Sequence, residues 1–236
     1  MNLYASISQR KSCRKYNLQP LEEDMLANIE QAIKSFKLLS PDIPITWRFT
    51  NQVKGLYHVE APHYLIISGQ GKAKEKECTG FLFQQLVLWF DAMGIGCVWL
   101  GEAKDAETSH NKSDIITIAF GKVNEPLHRT KEQFKRKPIE TITNATDDIC
   151  MQAVRFAPSG MNTQPWYFEK LEDTVLVYKR KLKPPISLIY KHSDIDMGIA
   201  LCHYYLACKE MGKPFHFSHD TSLPKKAKLL SFGIIT

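Results

Sequence analysis

Hydrophobic residues recur along the chain with two different periods. Between Glu22 and Leu38 they fall at Met25, Leu26, Ile29, Ala32, Ile33 and Phe36, a one-sided stripe that predicts an amphipathic helix packed on a core. Pro20 ahead of it, and Glu22, Glu23 and Asp24 in its first turn, suit a helix start, because acidic groups complement the N-terminal end of the helix dipole. Tyr64 to Ser68, Ile115 to Phe120 and Val175 to Tyr178 are short β-branched or aromatic runs that predict strands. From Gly80 to Met93 the residues are apolar almost all round, which predicts a buried helix. Asp196 to Met211 has the same character, so the two are expected to lie together at the centre.

These two segments also carry a repeat. Gly80 and Gly198 open them and Gly94 and Gly212 close them, at the same offset of 118 residues, half of the 236-residue chain. Upstream, Ala32-Ile33 followed by a turn and Trp47-Arg48-Phe49 parallels Ala153-Val154, a turn and Trp166-Tyr167-Phe168, at offsets of 121 and 119. Two matches in the same order point to a diverged duplication. Each half reads as helix, strand, strand, helix, strand. The predicted fold is α+β, one unit over residues 1–236 with approximate internal twofold symmetry and half-repeats of about 1–121 and 122–236. Gly121 to Thr143 is polar, basic and proline-bearing, a long connection of the kind that tends to be functional or mobile.

Composition narrows the class. With 44% hydrophobic and 24% charged residues the chain can bury a sizeable core, which excludes a disordered protein. The net charge of +6 is concentrated at Arg10 to Lys15, Arg129 to Lys137, Lys179 to Lys183 and Lys225 to Lys228, clusters that either hold an anion or form a solvated surface. The six cysteines show no CxxC pairing and read as reduced thiols. Met1 to Ser12 lacks the apolar core of a secretory signal, and Phe81 to Phe90 is too short to span a bilayer. A soluble, cytoplasmic protein without membrane attachment is expected.

Two segments stand out chemically. In Arg10-Lys-Ser12-Cys-Arg14, an extended backbone turns every second residue to one side, offering two guanidiniums and a hydroxyl to one anion. In Ala157-Pro-Ser-Gly-Met-Asn-Thr-Gln-Pro-Trp166, two prolines and a glycine stiffen a loop bearing Ser159, Asn162 and Gln164, groups that both donate and accept. Such a row suits a flat heterocycle with several carbonyls and ring nitrogens; an ordinary self-bonded turn is the simpler alternative.

Both segments resemble signature motifs of the FMN-dependent nitroreductase family, whose fold has a central β-sheet flanked by helices. Gly94-Ile-Gly-Cys-Val-Trp-Leu-Gly101 resembles the family's glycine-rich strand, and Lys135-Arg136-Lys137-Pro138 its late phosphate-contacting element. The resemblance implies that Arg10 and Ser12 hold the FMN phosphate and that Arg136, with Lys135 or Lys137, completes that site. It also implies that Arg14 reaches the ribityl chain and the pyrimidine edge, where a fixed cation favours the anionic reduced flavin. Pro158, Ser159, Gly160, Asn162 and Gln164 would line the isoalloxazine ring, with backbone N–H groups near Leu100 and Gly101 facing N5 and O4. In the family the two motifs of one site come from different subunits of a homodimer. Here both lie in one chain, and the first-half counterpart of the loop, Ser40 to Ile45, lacks the Asn and Gln. A fused pseudo-dimer acting as a monomer, with one FMN, follows. No side-chain nucleophile is implied, since the flavin carries the chemistry. The expected reaction is oxidation of NADH or NADPH with reduction of a nitroaromatic, quinone or similar small electron-poor acceptor.

Other features carry less. His216 and His219 lack a third metal ligand at a convincing spacing, adjacent Asp220 apart. Cys202 and His203, as helix neighbours, point in different directions and belong to the buried helix. Gly94-x-Gly96 lacks the third glycine of a dinucleotide fingerprint, and Trp47 and Trp166 read as core anchors. A catalytically silent flavin or nucleotide binder is the main rival reading. A basic nucleic-acid-binding protein is a weaker one, because the basic clusters lack interleaved aromatic residues.

Overall fold

The computed structural model describes residues 1–55, 59–107 and 113–236. A short helix α1 (Tyr4–Ile7) precedes α2 (Glu23–Ser35), then β1 (Thr46–Thr50), β2 (Val53–Lys54), β3 (His63–Ser68), the long α3 (Glu75–Ala92), β4 (Gly96–Leu100), β5 (Lys104–Asp105) and β6 (Asp114–Gly121). The second half runs α4 (Ile149–Arg155), β7 (Trp166–Leu171), β8 (Thr174–Arg180), α5 (Ile186–Ile189), α6 (Ser193–Glu210), β9 (Phe217–His219) and β10 (Leu229–Ile235).

The strands form two antiparallel four-stranded sheets, ordered β1-β3-β6-β4 and β7-β8-β10-β9, with β2 and β5 paired separately. The one central sheet of the expectation is thus two, because the buried helices come between them. Both sheets follow the same path: a helix, two adjacent strands, the buried helix, then two strands of which the last inserts beside the second. Each half therefore has four sheet strands, one more than its hydrophobic pattern indicated. The extra ones, β4 and β9, lie at sheet edges and are only five and three residues long.

Helices α3 and α6 cross at the centre, as their all-round apolar character predicts. A methyl group on Gly80 would stand 2.0 Å from the Ile195 carbonyl oxygen, and one on Gly198 would stand 2.0 Å from that of Glu77. These contacts are reciprocal: 195 − 77 and 198 − 80 both equal the repeat offset of 118. Backbone meets backbone there, and only hydrogen fits between. One sheet packs on α3 through Trp47 against Phe83 and Phe120 against Phe90, with ring centroids 6.0 and 5.0 Å apart. The other packs on α6 through Phe168 stacked on Tyr204 at 5.8 Å. Fully buried rings such as Phe83, Phe90, Phe168 and Trp166 contribute roughly 1.5–3 kcal/mol each through removal from water. Trp166 is the buried anchor expected, whereas Trp47 is half-buried at the core's edge.

The helices differ from expectation mainly at their ends. Helix α2 stops at Ser35 because Phe36 is extended (φ −74°, ψ 153°). Helices α3 and α6 begin five and three residues before the expected starts, since their polar first turns hide from an apolar pattern.

Candidate functional site

Residues 9–13 run extended between two neighbours. On one side Arg10 bridges His128 and the Arg129 N–H donates to the Gln9 carbonyl at 2.9 Å; on the other Ser12 bridges Cys97 of β4 and the Cys13 N–H donates to Cys97 at 3.0 Å. The extended form turns Arg10 and Ser12 to one side, where Arg10 Nη1 lies 3.4 Å from Ser12 Oγ. Arg14 is exposed beside Tyr16, and among the described residues it has no hydrogen bond or ion pair to the Pro158–Gln164 loop.

Arg10 is 3% exposed, has no carboxylate partner among the described residues, and leaves Nε without a hydrogen bond. Arg129 Nε donates to the Arg10 carbonyl at 3.1 Å, and its guanidinium lies 3.6 Å from the centre of the Phe134 ring. Arg136 approaches the same ring at 5.5 Å and leaves its own Nε without a partner. Burial, then repulsion from Arg129, pushes Arg10 down to about 10. Burial, then Arg10, Arg129 and Arg155, pushes Arg136 down to about 9. Several guanidiniums sharing a low-dielectric space are costly when the only carboxylate that acts on Arg10 among the described residues, Asp91, is not ion-paired with it. The arrangement suits an anion with several oxygens, such as a phosphate, which guanidiniums bind in bidentate fashion. The neighbouring His203, wholly buried on α6, is pushed down to about 3 by burial and stays neutral, its ring bonded to the Ala153 carbonyl and the Gln84 amide at 3.0 Å each.

The Ala157–Trp166 loop follows α4, whose N-terminus is capped by the Asp148 carboxylate accepting from the Cys150 and Met151 N–H groups at 2.8 and 3.3 Å. Met161, Asn162 and Gln164 all have positive φ (51°, 54° and 45°), an unusual density for residues with side chains and one that clusters at functional sites. The conformation is held from within: the Gln164 N–H donates to Ser159 Oγ at 2.9 Å and the Asn162 N–H to the Ser159 carbonyl at 3.1 Å. It is also held from outside. Arg136 Nη1 donates to Asn162 Oδ1 at 3.1 Å, Asn162 Nδ2 to the Lys135 carbonyl at 2.8 Å, and the Lys137 N–H to Gln164 Oε1 at 2.9 Å. The Asn162 and Gln164 amides, expected against a ring, thus tie the loop to residues 135–137. Lys137 Nζ likewise donates to the Thr163 carbonyl at 2.6 Å, and the Lys135 side chain is exposed.

Leu100 ends β4, and Gly101 packs against the imidazole of His192. Gly160 packs against Tyr190, and the Tyr190 and His192 rings meet edge to face at 5.8 Å. The Leu100–Gly101 turn and the Pro158–Gly160 stretch are thereby joined by one segment before α6. Asp196, 2% exposed, accepts from Tyr190 Oη at 2.7 Å, the Gly160 N–H at 3.1 Å and Thr163 Oγ1 at 3.3 Å; burial pushes its carboxyl up to about 7.

The structure therefore gathers Arg10, Ser12, Lys135, Arg136 and Lys137 with the loop bearing Pro158, Ser159, Gly160, Asn162 and Gln164. Leu100 and Gly101 are linked to that loop through His192 and Tyr190, and Arg14 stands apart. Sequence reasoning missed Arg129, Tyr190, His192 and Asp196. Arg129 lay within a flagged basic cluster, but nothing separated it from its neighbours. Elsewhere, His219 pairs with Glu77 at 2.9 Å, and the basic clusters 179–183 and 225–228 have Lys179 bonded to Asp194 and Lys226 to Glu169. Among the described residues no helix is long and apolar enough to cross a membrane.

Two four-stranded sheets about crossed central helices, with Arg10 of the first half facing Arg136 of the second, define an α+β protein. The sequence matches the family model described as "Putative TM nitroreductase" over residues 2–208, and the chain belongs to this nitroreductase family. The fold is similar to that of "a putative nitroreductase" from Thermotoga maritima, with a TM-score of 0.69 and 20% identity over 100% of this chain and 92% of that one. Weaker likenesses include a nitroreductase family protein from Clostridium difficile (TM-score 0.46, 15% identity, 60% of this chain and 95% of that one). Another is a "Putative NADH dehydrogenase/NAD(P)H nitroreductase" from Bacteroides thetaiotaomicron (TM-score 0.46, 19% identity, 55% and 91%). No curated protein matches the sequence.

Proposed function

We propose that the chain binds one FMN and acts as an NAD(P)H-driven oxidoreductase that reduces nitroaromatic, quinone or similar electron-poor acceptors in the cytoplasm. The observation that carries this reading is the trio of buried Arg10 with half-buried Arg129 and Arg136, which has no ion-paired carboxylate among the described residues and is hydrogen-bonded through Arg136 to the strained loop. The unpartnered Nε atoms of Arg10 and Arg136 are the donors a phosphate would satisfy. With Ser12, these residues would hold the phosphate, while Pro158 to Gly160 and the Leu100–Gly101 turn border the ring. Asn162, Gln164 and Lys137 keep the loop and the arginine segment in register. Bound flavin would supply two-electron transfer between a nicotinamide donor and the acceptor. The matched topology of the halves supports a duplicated unit, split at about residues 121 and 122, that acts as a fused pseudo-dimer with one working site.

The purified protein is expected to be yellow and to release close to one FMN per chain on denaturation. NADH or NADPH should bleach its absorption without oxygen, and a quinone should restore it. A colourless protein that takes up no FMN would overturn the reading. Bound FMN that no nicotinamide reduces would leave only a flavin binder.

A further inference from the structure

We propose that Tyr190, backed by Asp196, supplies the proton that accompanies hydride transfer into the electron acceptor. The proposal rests on the oxidoreductase reading above. Tyr190 stands where a proton donor must stand. Its hydroxyl accepts from the Gly160 N–H at 3.1 Å, and its ring reaches the imidazole that covers Gly101. It therefore spans the two elements that border the ring. Gly160 leaves the room for this: a methyl group there would lie 2.2 Å from Tyr190 Oη.

Asp196 decides which way the hydroxyl points. Tyr190 and Asp196 lie 2.7 Å apart, and each can donate to the other. With a carboxylate at Asp196, the phenol hydrogen is turned inward. With a protonated Asp196, the carboxyl donates to Tyr190 Oη, and the phenol hydrogen is released toward the site. The carboxyl is pushed up to about 7, chiefly by burial, so both forms are present near neutral pH. No cation touches Asp196 among the described residues. The facing charged and titratable groups are Asp194 on the same helix, which Lys179 of β8 bonds, and His192, with Glu102 at 3.6 Å and Lys76 of α3 nearby.

The step balances. Bound flavin, once reduced, would supply the hydride with its electron pair to a quinone, and the Tyr190 O–H would supply the proton that completes the hydroquinone. Tyr190 takes the Asp196 proton, and solvent reprotonates the carboxylate. Reduction of the flavin by NAD(P)H needs a hydride alone, so the two half-reactions depend on Tyr190 differently. Positioned proton donors typically contribute about 10²–10⁴-fold.

Stopped-flow measurement of both half-reactions, with NADPH and then menadione, tests the idea on the flavin-loaded protein. In Tyr190→Phe the ratio of reoxidation to reduction rate should fall at least about tenfold. The wild-type reoxidation rate should decline as pH rises through about 7, where Asp196 loses its proton, and Asp196→Asn should flatten that decline. A readout independent of flavin is ¹³C NMR of aspartate carboxyl carbons: one resonance should titrate near neutrality and vanish in Asp196→Asn. An unchanged rate ratio in a protein that holds flavin, or the absence of such a resonance, sinks the inference alone. Failure to take up flavin sinks it together with the reading beneath it.

Discussion

The molecule holds two clusters that centre on arginine, and they are built in opposite ways. Arg48 on β1 donates to both oxygens of Asp114 at 2.9 Å each and to Asp105 at 3.2 Å, so its charge is answered twice. The hydrogen bonds and charge of Asp114 raise its pKa above the ordinary arginine value. Arg129 and Arg136 share the Phe134 ring, Arg10 repels both, and burial lowers all three. The first cluster closes a structural account: the carboxylates are buried and the guanidinium covers them. The second has no ion-paired carboxylate among the described residues, and the proposed phosphate would complete it. Arg180 is likewise lowered by burial, so the crowding of three guanidiniums without an ion-paired carboxylate among the described residues, rather than the direction of the shift, sets the second cluster apart from the Arg48 staple.

Substitutions can break or sharpen this contrast. Arg10→Met should have the largest effect, weakening FMN binding about a hundredfold, as expected when one partner of a buried charge pair is truncated. The same change should leave the flavin-free protein as stable or more stable, because it removes an uncompensated buried charge; fluorescence titration and thermal melts check both. A melt that drops by several degrees would place Arg10 with the staples. Arg48→Met should act the other way round, costing about 2 kcal/mol by stranding Asp105 and Asp114, a figure reduced because the guanidinium is a third exposed. Urea unfolding measures the loss, and FMN affinity should stay within a factor of two. Arg14→Ala should have the smallest effect, at most about threefold in FMN affinity, as befits an exposed charge. A larger loss would mean that Arg14 swings onto the bound flavin.

The central helices were legible because they are apolar on every side, and the matched spacing of their glycines was legible because glycine at a backbone crossing tolerates no replacement. The two-sheet arrangement was not. An edge strand such as β9, three residues long with its middle Ser218 exposed, carries almost no alternating signal. Within the site, Arg10 and Arg136 were found through motifs, and Ser12 through its two-residue spacing. Asp196 was visible only as the start of an apolar helix. Its meaning comes from Gly160 and Tyr190, which approach it through tertiary packing. Asn162 and Gln164 were expected to face a ring, and their actual partners at residues 135–137 depend on three left-handed backbone positions that no local propensity predicts.

The contact of Gly80 and Gly198 also dictates where the sequence can drift. With main chain touching main chain there, no side chain can be introduced at either glycine without parting α3 from α6. Change is confined to the loops around that crossing. On the proposed reading, residues 158–164 keep a binding duty among those loops and their counterpart at 40–45 does not.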